Sequence, residues 1–356
     1  MGALSLALSM AALAQAGGIL DQIICPASSS SIRKSEAAMV ELKDGRLLLG
    51  YTDFYTVSPN DDAPARIIGR HSSDLGQTWG PPVTLVENTA KMNVMSVSLL
   101  RLQSGELVLA YMFKDSHEDC SVLFRLSRDE GRTFSDPVKI TPRKSFWVMN
   151  NDRLVQLRSG RLLAPCQRLD NWPKVRHSLT QVLYSDDKGK TWQGSELVDI
   201  RDNNDGADEP GVMELPDGRI LMYFRTDLGA IYQCFSSDGG ITWAKPEATS
   251  LAAPVSPSVI KRIPSTGDLL IVWNHTLPHR RGGHTDRFPL TVAISRDSGG
   301  SWERVQDFDT DVRYTYGYPS ITFVKDRVLV TYWAARDWPW WVSLKLKSVP
   351  VKWLYQ

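Results

Sequence analysis

One short pattern, Ser-x-Asp-x-Gly-x-Thr/Ser-aromatic, recurs five times along this 356-residue chain. The copies run Ser72 to Trp79, Ser127 to Phe134, Ser185 to Trp192, Ser236 to Trp243 and Ser295 to Trp302. Their Asp residues, Asp74, Asp129, Asp187, Asp238 and Asp297, are spaced by 55, 58, 51 and 59 residues. A near-constant period of this size is the signature of a repeat architecture. Each copy follows an alternating apolar run, such as Ala65 to His71 or Leu290 to Ser295, so each reads as a turn at the end of a strand. The Asp carboxylate is suited to accept backbone N–H groups of that turn, and the Gly supplies a positive φ. These aspartates are read as staples of turns, not as catalytic acids.

A second series runs in counter-phase. Tight turns at Asp44-Gly45-Arg46, Ser104-Gly105-Glu106, Ser159-Gly160-Arg161, Asp217-Gly218-Arg219, Thr266-Gly267-Asp268 and Lys325-Asp326-Arg327 each separate two apolar runs. Such turns between apolar runs predict hairpins. Two hairpins per unit make a four-stranded blade. The reading is therefore all-β: a six-bladed β-propeller of four-stranded antiparallel blades. The last unit lacks one strand. The run from Gln22 to Cys25 can supply it, so the N-terminal strand is expected to close the ring and remove exposed sheet edges.

The unbroken repeat argues for one domain over 17–356. Residues 1–16 read as a secretory leader, with an apolar run from Leu4 to Leu13 and the small-residue site Ala14-Gln15-Ala16. This run is too short to span a bilayer, so the expectation is a secreted or periplasmic protein without membrane insertion. A net charge of +1 gives no reason to invoke nucleic acid. Cys25, Cys120, Cys166 and Cys234 show no CxxC spacing, so no zinc or redox motif is expected. Buried free thiols are the favoured reading of all four.

The repeated turn in a six-bladed frame resembles the sialidase (neuraminidase) superfamily, where it is called the Asp box. The resemblance covers nearly the whole chain after the leader. It implies a site at the propeller axis, at the starts of inner strands. A sialic acid carries a carboxylate beside its anomeric carbon. Guanidinium groups suit that carboxylate, and a neutral Tyr activated by a Glu suits attack at such a centre better than a carboxylate does; the family thereby departs from the two-carboxylate scheme.

On this resemblance, Glu209 in Asp208-Glu209-Pro210-Gly211 looks like the activating Glu. Tyr318 in Gly317-Tyr318-Pro319-Ser320 looks like the nucleophile, with Tyr314 and Tyr316 as near competitors that strand alternation could point the same way. Asp62, in Asp61-Asp62-Ala63-Pro64-Ala65, resembles the acid/base residue. Arg33, Arg225 and Arg287 resemble the carboxylate-binding triad. Arg33 lies about two residues further from its hairpin than the family pattern. Arg262-Ile263-Pro264 carries the family's Arg-Ile-Pro in the wrong place, and Arg153 is a further candidate for gripping an anion.

The resemblance thus implies a monomeric exo-α-sialidase: a retaining hydrolase of sialylated or other anionic glycans, with no metal or other cofactor. A hydrolase of another carboxylated glycan, such as a uronic acid, and a non-catalytic glycan-binding propeller remain alternatives. The co-occurrence of Tyr318, Glu209 and Asp62 speaks against the last.

Overall fold

The turn glycines of the two repeats serve different purposes. In the computed structural model, which describes residues 18–200, 206–276, 287–337 and 340–356, Gly45 has φ +81° and a Cβ there would meet nothing within 4 Å. Its requirement is conformational, the left-handed region that glycine enters without steric cost. Gly189 of the third Asp box has φ +86°, but a Cβ there would also lie 2.5 Å from the Phe124 ring. The staple therefore packs its turn tightly against the neighbouring repeat. The expected leader at 1–16 lies outside the described residues.

The described residues form 25 strands and a C-terminal 3-10 helix, Val351–Tyr355. They fall into six groups. The N-terminal strand is β1 (Leu20–Cys25). The first group holds β2 (Arg33–Glu41), β3 (Leu47–Phe54), β4 (Arg66–Ser72) and β5 (Val83–Val86). The second holds β6 (Asn93–Arg101), β7 (Leu107–Ser116), β8 (Asp119–Ser127) and β9 (Val138–Lys139). The third holds the interrupted inner strand β10 (Phe146–Val148) and β11 (Val155–Gln156), then β12 (Leu162–Leu169), β13 (Leu179–Ser185) and β14 (Gln193–Val198). The fourth comprises β15 (Asp208–Glu214), β16 (Ile220–Arg225), β17 (Ala230–Ser236) and β18 (Glu247–Ala252). The fifth comprises β19 (Val259–Arg262), β20 (Leu269–Asn274), β21 (Leu290–Ser295) and β22 (Glu303–Asp309). The last contains β23 (Thr315–Val324), β24 (Arg327–Ala335) and β25 (Val342–Pro350).

Neighbours within each group pair antiparallel. The exposed flank of β25 is taken by β1, from Leu20↔Ser348 to Cys25↔Leu344. Single parallel pairs join some groups into larger sheets: Arg33↔Val342 links β2 to β25, and Phe146↔Cys120 links β10 to β8.

The second strand of each group is the most apolar, because both its faces are covered. Every residue of β3, β12, β16, β20 and β24 is buried. Burying a side chain such as Leu48 fully is worth about 1.5–3 kcal/mol. The apolar clusters lie between successive groups. Leu48 of the first packs with Leu109 of the second, Phe224 of the fourth with Leu163 of the third, and Val330 of the last with Val272 of the fifth. A further cluster joins Leu344 and Leu346 of the last group to Leu47 and Leu49 of the first. The four cysteines are buried and free.

The Asp boxes are turn staples. In the first, Asp74 accepts hydrogen bonds from the Thr78 amide at 2.8 Å, the Thr78 hydroxyl at 2.5 Å and the Ser72 hydroxyl at 2.8 Å. Trp79 Nε1 donates back to the Gly76 carbonyl at 3.0 Å. The residue before each box glycine, such as Leu75 at φ 58° or Lys188 at 64°, is also left-handed, a feature the pattern does not reveal.

Candidate active site

Four of the innermost strands share one irregularity. In β2, β6, β15 and β23 two residues oppose a single residue of the next strand: Glu36-Ala37 against Tyr51, Ser96-Val97 against Tyr111, Glu209-Pro210 against Phe224, and Tyr318-Pro319 against Tyr332. These are β-bulges, which re-aim side chains and recur beside active sites. The first residue of each has positive φ: Glu36 46°, Ser96 54°, Glu209 45° and Tyr318 54°. The interrupted third inner strand carries Asp152 at φ 57°.

The bulges decide which tyrosine reaches the site. Alternation alone would point Tyr314, Tyr316 and Tyr318 the same way. The extra residue breaks the period. Tyr316 is fully buried and donates its hydroxyl to Asp309 Oδ1 at 2.9 Å. Tyr314 borders a separate cavity with Trp341 and Arg336. Tyr318 turns to Glu209, with its hydroxyl 3.1 Å from Glu209 Oε1.

Glu209 Oε2 lies 3.0 Å from Arg225 Nη1. The pairing Asp208↔Arg225 in β15–β16 brings this about. Asp208, beside Glu209 in sequence, is buried and lies 3.6 Å from Arg225 Nε. Gln167 Nε2 and the Ser178 hydroxyl both donate to Asp208 Oδ1, and Gln167 Oε1 accepts from the Glu209 amide at 3.4 Å. Burial raises the Asp208 carboxyl above its ordinary value, with Arg225 opposing. Burial, reinforced by Glu209, likewise pushes the Tyr318 phenol up, against the pull of Arg225 and Arg287.

Arg287 is buried with its guanidinium 5.7 Å from the ring centroids of both Tyr318 and Trp333. Its Nη2 donates to the Val255 carbonyl at 3.1 Å, while among the described residues Nε and Nη1 find no hydrogen-bond partner. Arg225 and Arg287 thus converge on the Tyr318–Glu209 pair.

Arg33, at the start of β2, is held by two carboxylates, Glu36 Oε1 at 2.6 Å and Asp61 Oδ1 at 2.5 Å. Burial pulls its pKa down, but these partners outweigh that, and the net shift is upward. Asp62 stands on the loop between β3 and β4. Its carboxylate lies 3.3 Å from His117 Nε2 and 3.7 Å from Lys114 Nζ. Asn93 and Lys114 of the second group fix that loop by donating to the Asp61 carbonyl, each at 2.7 Å.

Asp61, Asp62, Glu209, Arg225 and Tyr318 line one cleft of about 280 Å³. Met95, Phe146, Trp172 and Arg176 also line it. The structure thus brings Tyr318, Glu209 and Arg225 into direct contact, sets Arg287 over Tyr318, and puts Asp62 on the same cleft.

Arg153 does not join them, contrary to its reading as an anion grip. It is buried beside a different cavity and donates to the Tyr223 hydroxyl at 3.1 Å and the Ser258 carbonyl at 2.6 Å, tying the third group to the fourth and fifth. Glu36, Asp208, Gln167, Lys114 and His117 were missed. Asp208, beside Glu209, and Glu36, three residues after Arg33, lie next to candidates in the sequence; the others reach the site through register and loop packing.

The BNR repeat-like domain model matches residues 96–330. A sialidase from Bacteroides fragilis is 25% identical over 249 residues, covering 66% of this chain and 43% of that protein. One from Micromonospora viridifaciens is 26% identical over 303 residues, covering 74% of this chain and 44% of its own length. The chain thus spans about half the length of the curated relatives it matches. Among solved structures, a Dyadobacter fermentans protein of unknown function superposes with a TM-score of 0.76 at 19% identity, covering 94% of this chain and 99% of that one. A leech intramolecular trans-sialidase gives 0.74 at 15%, covering 94% and 71%. These likenesses establish the fold, a β-propeller of the sialidase kind. The chain belongs to the BNR repeat-like family of the sialidase superfamily.

Proposed function

We propose that this chain is a retaining exo-α-sialidase built as a six-bladed propeller, with β1 completing the last blade. The β1–β25 pairing and the cluster between last and first groups support the ring. The observation that carries the activity is the 3.1 Å contact between the Tyr318 hydroxyl and Glu209.

The roles follow from the chemistry. A phenol whose pKa is pushed up is not ionised near neutrality, so its proton must leave during attack. Glu209 takes it as the Tyr318 oxygen bonds to the anomeric carbon. The glycosidic bond breaks, and Asp62 protonates the departing oxygen. Asp62 then removes a proton from water, which attacks the same carbon. Glu209 returns its proton to the released Tyr318 oxygen. Arg225 and Arg287 hold the substrate carboxylate throughout, since paired planar donors suit it.

Assays with fluorogenic α-sialosides test this. Turnover by the unmodified protein, lost in Tyr318→Phe with folding and ligand affinity kept, is the expected result. A fully active Tyr318→Phe protein would refute the nucleophile. One observation favours a second reading, a uronic-acid glycan as substrate: Arg33 is already engaged by Glu36 and Asp61. Turnover of glucuronides and not of sialosides would select it.

A further inference from the structure

A guanidinium has five N–H bonds to donate, and Arg33 has committed four of them. Nε donates to the Ser35 hydroxyl at 3.1 Å and Nη2 to Glu36 Oε1 at 2.6 Å. Nη1 donates both to the Pro59 carbonyl at 3.2 Å and to Asp61 Oδ1 at 2.5 Å. One N–H remains. A two-point grip on a carboxylate needs two parallel N–H bonds from the same fork, so Arg33 cannot make one in this arrangement. Arg287 differs, with Nε and Nη1 both buried and, among the described residues, without a hydrogen-bond partner.

The two acidic partners of Arg33 are not equivalent. Glu36 is buried on the β2 bulge, and its second oxygen accepts from the Ser35 hydroxyl. Removing it would strand a buried charge, which is costly. The Asp61 side chain is 66% exposed at the cleft mouth. Its backbone is anchored through its carbonyl by Asn93 and Lys114, so the loop and its neighbour Asp62 are held independently of the contact between the Asp61 carboxylate and Arg33.

We propose that Asp61 is a specificity-determining residue. Its carboxylate occupies on Arg33 the place a substrate carboxylate would take, and an acidic sugar gains the third arginine only by displacing it. This deepens the reading above and rests on it, in that the ligand is taken to be a carboxylated sugar. The cleft then discriminates by competition. Sugars held well by Arg225 and Arg287 pay little for leaving Arg33 engaged, and those needing three arginines bind weakly.

The test compares the unmodified protein with Asp61→Asn and Asp61→Glu. Calorimetric titration with N-acetylneuraminic acid and with glucuronic acid gives the affinities. Because the Asp61 carboxylate stands mostly in water, its pairing with Arg33 is a weak competitor, and Asp61→Asn should bind at least one sugar acid about 2- to 5-fold more tightly. Asp61→Glu, which keeps the charge, should stay near the unmodified value. Equal affinity in the unmodified and Asn-bearing proteins overturns the proposal, and so does failure of both to bind either acid. Loss of the hydrolase reading is seen separately: a gain in affinity with no turnover of any acidic glycoside by the unmodified protein leaves Asp61 in its role and removes the enzyme.

Discussion

Glu209 and Tyr318 are held in a backbone region that side chains other than glycine rarely enter, at φ 45° and 54°. Such residues cost on the order of 1–3 kcal/mol each and persist only where surrounding contacts over-determine them. Here the contacts are the flanking ladders and Gln167. Glu209→Gln should lower kcat about 10²–10⁴-fold, the usual worth of a general base, while calorimetry finds the ligand still bound. Arg225→Lys keeps the charge but loses the planar fork. A loss of about 10- to 100-fold in kcat/KM is expected, in line with one charge-assisted pair, and unchanged kinetics on an acidic glycoside would remove Arg225 from the site. The phenol of Tyr318 is raised by burial and Glu209. Its ionised form therefore does not accumulate as pH approaches 10. The pH profile of kcat/KM should show no climb there, and a climb would mean that a free phenolate attacks.

At the scale of elements, the Asp boxes and the inner bulges divide the work. The boxes hold the outer turns. Asp74→Ala removes an acceptor of three hydrogen bonds and should cost about 1–3 kcal/mol, measured by denaturant unfolding, with KM unchanged. The box carboxylates also set acid stability. Hydrogen bonds from Thr133 and Thr191 lower Asp129 and Asp187 to about 2, from an ordinary 3.8. A carboxylate with a depressed folded-state pKa adds stability that is complete above its unfolded value and lost as pH falls through the folded one. The thermal midpoint should therefore fall chiefly between about pH 4 and pH 2 through these groups. The inner strands are braced from across the axis. Asn151 Nδ2 donates to the Ala37 carbonyl at 2.7 Å and the Tyr318 carbonyl at 3.2 Å, and Asp152 Oδ2 accepts from the Ile321 amide at 3.1 Å. Asn151→Ala leaves both carbonyls without that donor. It should lower kcat with KM little moved, and an unaltered kcat would show that the brace is dispensable.

At the scale of the molecule, β1 and β25 join the two ends of the described chain. Ile24 and Cys25 are buried against the first and last groups, and Lys345 Nζ lies 2.8 Å from Asp21. A chain lacking residues 1–26 would expose the backbone edge of β25, a template for association. It should show a lower thermal midpoint and larger species on size-exclusion chromatography; an unchanged profile would contradict the closing role proposed for β1.

The sequence by itself determined what is local and repeated. The Asp boxes, hairpin turns and apolar runs are encoded within a few residues of one another, where side-chain and backbone propensities act without help from afar, and all three stand in the structure. The motifs around Glu209, Arg225 and Tyr318 were legible for the same reason. Tertiary structure decided what depends on register and on contacts between distant segments. A bulge of one residue, invisible in composition, turned Tyr318 and not Tyr316 to Glu209, because a strand with period two changes face when one residue is added. The fates of Arg153 and Arg33 were set the same way. Tyr223 and Ser258 claim the first from 70 and 105 residues away, and Asp61 claims the second from 28. A guanidinium goes to whichever acceptors the fold brings near; Glu36 and Ser35 are close to Arg33 in the chain, but no short stretch specifies Asp61, Tyr223 or Ser258.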